Sequence, residues 1–379
     1  MNLLASRSAV YAALILAIGM GFGRFCFTGI FPVMVDEGSL TLAGGAYAAS
    51  ASYAGYLLGA LLAINTHPND SFKLCLYSIL GTALTIAFLA VYQNVWFLIV
   101  MRGLSGVFSA TAMVGASSWL LQYKGDNRAS PVLHAGIGFG ILISAEFIAI
   151  GQYFGFSSAT LWFLLGGAGL LIGIPCILLM KMDSVGKTVD QIYTGIHSAE
   201  VFDKWKLVLI YGLAGFGYII TATYLPLIIK DDLGIGIGIH IWAVFGLGAM
   251  LSCFFWHGVQ AKLGSRNSLF VNLIIQSIGV ALPVFSQTLS SYLCSALLVG
   301  GTFMGFVTIA KSIALQISHE ARGNLMAIMT ASFGIGQIAG PLVANETYDV
   351  SKSFSLSFLM ASMALIIAAV ISVKANRKI

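Results

Sequence analysis

The sequence predicts an all-α membrane protein with twelve transmembrane helices in two pseudo-symmetric six-helix bundles. Three observations carry that prediction. Hydrophobic residues make up 58% of the 379-residue chain and charged residues only 9%, against about 25% charge in an ordinary soluble domain. So few charges cannot cover an aqueous surface, which leaves lipid as the solvent. Apolar stretches of the ~20 residues that span a bilayer recur twelve times. Finally, the chain is written twice. Gly21-Phe22-Gly23-Arg24 leads to Pro32, and 194 positions later Gly215-Phe216-Gly217-Tyr218 leads to Pro226. The same shift carries Gly106 to Gly300, Arg128 to Arg322 and Phe139-Gly140-Ile141 to Phe333-Gly334-Ile335. A duplicated apolar half implies two similar bundles related by an axis along the bilayer normal, with a site where they meet.

In chain order the spans fall near 9–34, 41–64, 72–91, 94–122, 130–153 and 158–181, then near 205–229, 237–261, 267–286, 290–317, 323–346 and 353–373. The first run superficially resembles a signal peptide, but it exceeds the usual apolar core of ~7–15 residues. Its repeat partner, 207–229, has no such role, so it is read as a helix. Between the halves runs a polar segment containing Asp183, Lys187, Asp190, His197, Glu200 and Asp203. The domains are therefore an N-terminal bundle, 1–181, a linker, 182–204, and a C-terminal bundle, 205–379.

Each of the 43 glycines would cost ~1 kcal/mol relative to alanine in a soluble helix. In a membrane, small residues let helices approach closely. Gly136-x-Gly-x-Gly140 and Gly212, Gly215 and Gly217 fit close packing, and could also form surfaces on which two bundles rock. The five cysteines lie in apolar runs with no Cys-x-x-Cys spacing, which reads as packing rather than disulfides or metal ligation.

Basic residues orient the chain. With the N-terminus inside, 14 lysines and arginines fall on the inner side and 2, Lys230 and Lys352, on the outer side. Both termini and the linker are thus expected in the cytoplasm, Lys187 and Arg322 included. The net charge of +5 sits at helix ends and gives no nucleic-acid signal.

Several segments resemble the YbfB/YjiJ-type bacterial family of the major facilitator superfamily. They are Gly23-Arg24-Phe25 with Pro32-Val33-Met34, Tyr53-Ala54-Gly55-Tyr56-Leu57-Leu58-Gly59-Ala60, Thr223-Tyr224-Leu225-Pro226, and Gly336-Gln337-Ile338-Ala339-Gly340-Pro341. Arg102-x-x-x-Gly106 is similar to the superfamily's helix 4 arginine motif. The superfamily's cytoplasmic loop motif is nearly absent: between helices 8 and 9, Ala261-Lys262-Leu263-Gly264-Ser265-Arg266 has alanine where aspartate is usual. The resemblance implies a transporter of the bacterial inner membrane with its cavity between the bundles.

Charges inside spanning helices cost ~2.5–3.5 kcal/mol on insertion scales and mark function by default. Four stand out. Arg24, Arg102 and Glu146 lie roughly 15, 12 and 10 Å from the outer ends of their helices at 1.5 Å per residue. That shared depth predicts an Arg24–Glu146 pair, with Glu146 the proton-coupling group. Lys311 lies near an inner end, where it can snorkel or line a vestibule. Tyr53, Tyr56, Tyr218, Tyr224 and Gln337 are polar-tipped residues on cavity-bordering helices. The expected substrate-binding set is Arg24, Arg102, Tyr53, Tyr218, Tyr224, Gln337 and Lys311.

His134, His240 and His257 have no second ligand at helical spacing, so no metal is expected. No Walker sequence is present and no cofactor is implied. One intramembrane carboxylate falls short of what an enzyme needs. The expected function is a secondary transporter, acting as a monomer, that moves a small organic solute with protons by alternating access. The alternatives are facilitated diffusion and a transport-inactive sensor.

Overall fold

The computed structural model describes residues 7–91, 94–183, 202–317 and 322–373, and every regular element among them is helical. Most of the linker, and with it Lys187, lies outside the described residues.

Eleven elements follow one another: α1 Arg7–Asp36, α2 Leu42–Leu62, α3 Ser71–Phe88, α4 Val95–Tyr123, α5 Ser130–Tyr153, α6 Ser158–Asp183, α7 Lys204–Leu233, α8 Ile235–Phe285, α9 Leu289–Gln316, α10 Arg322–Ser351 and α11 Ser355–Val373. Their starts have local causes. Thr41, Asn94, Asp203 and Thr288 each accept a backbone N–H of the first turn on a side-chain oxygen, which satisfies donors that a helix start otherwise leaves orphaned. Large apolar side chains such as Leu171, Phe163 and Phe285 point outward and are exposed. That is an inside-out surface for water and a natural one for lipid.

Among the described residues, ten helices are long and apolar enough to cross a membrane. α2 has the length, but its glycine, alanine, serine and tyrosine content keeps it out of that ten. The spans expected at 237–261 and 267–286 form one 51-residue element, α8, bent at Gly264, whose φ is +75° and ψ 168°. Glycine alone adopts that conformation cheaply. A short polar stretch therefore becomes a sharp turn between two limbs, 235–263 and 265–285, with no unwound loop.

Helix pairings follow the repeat. α1 packs on α5 as α7 packs on α10, and α2 packs on α4 as the first limb of α8 packs on α9. α3 packs on α6 as the second limb packs on α11. Across the two halves of the chain, α5 meets the first limb of α8 and α10 meets α2. The repeated glycines explain the register. A Cβ on Gly106 would stand 2.0 Å from the Ser52 carbonyl oxygen, and one on Gly300 would stand 2.2 Å from the Phe245 carbonyl oxygen. Gly21 abuts the backbone of Gly140, and Gly215 that of Phe333. What repeats in the sequence is therefore backbone contact between helices.

Two contacts join residues to their own repeat equivalents. The Thr28 hydroxyl donates to the Ala222 carbonyl at 2.7 Å, and these residues are 194 apart. Lys230 pairs with Asp36 at 2.9 Å, also 194 apart. Equivalent residues touch where a two-fold axis passes between them. That axis runs between α1 and α7 in the halves of these helices remote from the chain termini, hereafter the far end.

Candidate functional site

The site grows from an irregularity in α1. Residues Ala17–Phe25 are π-helical, a local widening that frees backbone carbonyls from ordinary i to i+4 pairing. Side chains of neighbouring helices bring further donors to carbonyls of this stretch and its end. Ser109 donates to Gly19 O, Ser105 to Gly23 O, and Arg102 to Gly23 O and Arg24 O, both at 2.8 Å. Residues 102, 105 and 109 share one face of α4. Trp242 of α8, from the other half, donates its indole N–H to Phe25 O at 3.2 Å.

Arg102 is thus committed through both terminal nitrogens, its buried Nε alone lacking a hydrogen-bond partner among the described residues. Its guanidinium donates to two carbonyls and to the Ser52 hydroxyl at 3.2 Å, and it lies over the Phe27 ring at 4.7 Å. Expected as a solute ligand, it instead staples α4 and α2 to the irregular stretch of α1.

Arg24 reaches the other half of the chain. It is 4% exposed, and its Nη2 donates to Gln337 Oε1 at 2.7 Å. The Gln337 amide donates in turn to the Tyr218 hydroxyl. Rings of Tyr56, Tyr53 and Phe25 surround the guanidinium at 4.4, 4.7 and 5.3 Å, within the range of cation–π attraction. Tyr53 shares a hydrogen bond with Thr223 at 3.1 Å. On the far side Tyr218 stacks on Phe303 at 4.5 Å and on Phe333 at 5.6 Å. Arg24, Tyr53, Tyr218 and Gln337 are each at most 5% exposed, so the cluster is closed to solvent in this conformation.

The expected Arg24–Glu146 pair does not form here. Glu146 on α5 pairs with His240 on α8 at 3.0 Å, across the halves, and both side chains are substantially exposed. Depth along a helix predicted the pairing, but azimuth decides it: Arg24 faces α10 and Glu146 faces α8. Beside that pair α5 and α8 touch backbone to backbone, since a Cβ on Gly138 would stand 2.5 Å from Gly246 O.

Of the remaining candidates, Tyr224 donates to Pro341 O at 3.1 Å and packs against Phe31 and Phe354, nearer the far end than Arg24. Lys311 is half-buried and has no acidic partner within 4 Å among the described residues. It lies roughly 12 Å beyond Phe303 along α9, toward the end that carries the chain termini. The structure therefore gathers Arg24, Tyr53, Tyr218 and Gln337, and leaves Tyr224 and Lys311 apart. The aromatic wall of Phe303, Phe333 and Trp242, and the role of His240, were missed. His240 sits five residues from the start of α8 and Glu146 seven from the end of α5, so matched depth was the available signal.

Comparison with known proteins bears on the family and the fold. The tetracycline resistance protein, class G, of Vibrio anguillarum is 23% identical over 301 residues, 73% of either chain. Human synaptic vesicle glycoprotein 2A is 27% identical over 169 residues, 42% of this chain but only 22% of that protein. The crystal structure of a variant of the nucleoside transporter NupG superposes with a TM-score of 0.70, covering 97% of this chain and 99% of that one at 11% identity. That likeness establishes the fold alone. The family described as "Uncharacterised MFS-type transporter YbfB" matches residues 16–373. With nearly the whole chain matched and the fold shared with a major facilitator transporter, the protein belongs to the YbfB-type family of MFS transporters and is a multi-pass membrane protein of solute transport.

Proposed function

We propose that the chain is a secondary active transporter that moves a small organic solute by alternating access, coupled to protons. In this reading twelve spans form two bundles, 1–181 and 205–379, joined by the cytoplasmic linker 182–204. The two limbs of α8 count as separate spans. The family and the basic-residue split support an inner-membrane protein with both termini in the cytoplasm, working as a monomer without cofactor or enzymatic activity. The far end is then periplasmic, and this conformation is closed to the outside.

One observation carries the proposal: a buried arginine at the junction of the halves, held to the opposite half by a neutral amide alone. A buried charge is costly to keep, and a neutral partner can be displaced. The polar links Thr28–Ala222, Lys230–Asp36, Ser50–Ile338 and Glu146–His240 lie on the far-end side of Arg24, as a closed outer gate requires. Opening it exposes Arg24 to the periplasm.

Glu146 and His240 suit proton coupling because two ionisable groups meet there from different halves. A proton taken up by this pair changes a bond that ties α5 to α8. In proteoliposomes with an imposed pH gradient, Glu146→Gln is expected to abolish uphill accumulation while solute exchange between equilibrated compartments persists. Uphill accumulation at the parent rate in Glu146→Gln would make Glu146 a structural partner and place the coupling group elsewhere, whereas a parent that never accumulates solute uphill would be a facilitated-diffusion carrier.

A further inference from the structure

We propose that the solute site takes a small monocarboxylate carried on a flat aromatic body, with Arg24 as its anchor. This deepens the transporter reading and depends on it only for the transport step.

The argument starts from one edge of the guanidinium. Nε–H and Nη2–H of an arginine point the same way, at a spacing that matches the two oxygens of a carboxylate. In Arg24 the Nη2 donates to Gln337 Oε1 at 2.7 Å, while the buried Nε has no hydrogen-bond partner among the described residues. An edge built for two oxygens holds one. Gln337 cannot supply the second, because the other end of its amide is a donor, engaged with Tyr218.

No carboxylate of the described residues lies within ion-pair distance of Arg24; the membrane-embedded candidate, Glu146, is paired with His240. The other buried cation nearby, Arg102, also has an unpartnered Nε among the described residues, but both its terminal nitrogens donate to the backbone of α1, so its two-oxygen edge is not free as that of Arg24 would be once Gln337 is displaced. The cluster is therefore positive and uncompensated. A carboxylate replacing the Gln337 oxygen would neutralise it and fill both donors.

The surroundings select the rest of the molecule. The rings of Tyr53, Tyr56 and Phe25 cover Arg24, which keeps water from competing for the charge. Beyond Gln337 stands Tyr218, with Phe303 and Phe333 stacked on it at interplanar angles of 16° and 19°. A body reaching past the anchor meets parallel aromatic faces, and a planar ring fits against them with offset stacking.

The test uses the purified full-length protein in lipid nanodiscs, with three acids and their uncharged amides: benzoate and benzamide, phenylacetate and phenylacetamide, indole-3-acetate and indole-3-acetamide. Calorimetric titration should show at least one acid binding, with its amide weaker by about 30-fold or more, the loss typical of a buried charged pair deprived of its partner. Arg24→Gln should weaken that acid by a similar factor, and Arg24→Lys by less. Should Arg24→Gln fail to fold, the acid-against-amide comparison on the parent protein decides. Absence of binding by all three acids, amides binding as well as acids, or acid binding indifferent to Arg24→Gln would each overturn the proposal. Arg24-dependent acid binding without uptake into proteoliposomes would instead leave the site standing and defeat the transport reading.

Discussion

Replacing Arg102 by leucine is expected to lower the stability of the protein by about 2–4 kcal/mol, since a buried acceptor stripped of its donor costs ~1–3 kcal/mol and a truncated core side chain adds more. Arg102 is 1% exposed and holds Gly23 O and Arg24 O at 2.8 Å. In the leucine variant both carbonyls lose the guanidinium, and Gly23 O keeps Ser105. The apparent melting temperature in detergent should fall by about 2–5 °C, using the usual scaling of melting temperature with stability and chain length. Arg102→Lys should fall between, because one ammonium cannot fork to successive carbonyls as a guanidinium does. If Arg102→Leu melts like the parent yet loses solute binding, Arg102 is a ligand and its role as a staple is wrong.

Gly106→Val and Gly300→Val should prevent accumulation of folded, monodisperse protein. The added Cβ would stand 2.0 Å from Ser52 O in the first case and 2.2 Å from Phe245 O in the second. Both obstacles are backbone atoms, so the paired helices must separate along their length, and the cost exceeds the ~1–3 kcal/mol of ordinary overpacking. The neighbours provide the control. Gly301 has open space where a Cβ would go, and at Gly103 the nearest atom is 3.7 Å away, so Gly301→Ala and Gly103→Ala should be produced normally. Size-exclusion profiles of the four variants check this. Equal yields would mean that the repeat glycines do not set the helix packing.

These glycines also explain how much of the fold could be read from the chain. A site where two backbones touch admits only glycine, so duplication leaves Gly21 with Gly215 and Gly106 with Gly300 at one constant shift. Span limits were legible because lipid demands apolar runs of fixed length. The bend at Gly264 was not, because a sharp turn there replaces the loop that a polar stretch suggests. For the site, residue type and depth were enough to name Arg24, Tyr53, Tyr218 and Gln337. They could not give azimuth, which is why Arg24 was matched to Glu146 instead of Gln337 and why His240 was passed over. The commitment of Arg102 to α1 was hidden for a related reason. Its need arises from the π-helical stretch at Ala17–Phe25, which no spacing in the sequence announces.

The central claim is that the halves of the chain part at the far end, giving Arg24 access to the outside. Spin labels at Tyr153→Cys, at the end of α5, and Gln287→Cys, between α8 and α9, read that separation directly, with Cys294, the exposed native thiol, replaced by serine. Double electron–electron resonance in nanodiscs should resolve two distances, the shorter matching the conformation described here. Adding Asp36→Asn, which breaks the Lys230–Asp36 pair across the axis, should move population to the longer one. A single short distance in the labelled protein, unchanged by Asp36→Asn, would contradict alternating access about this axis.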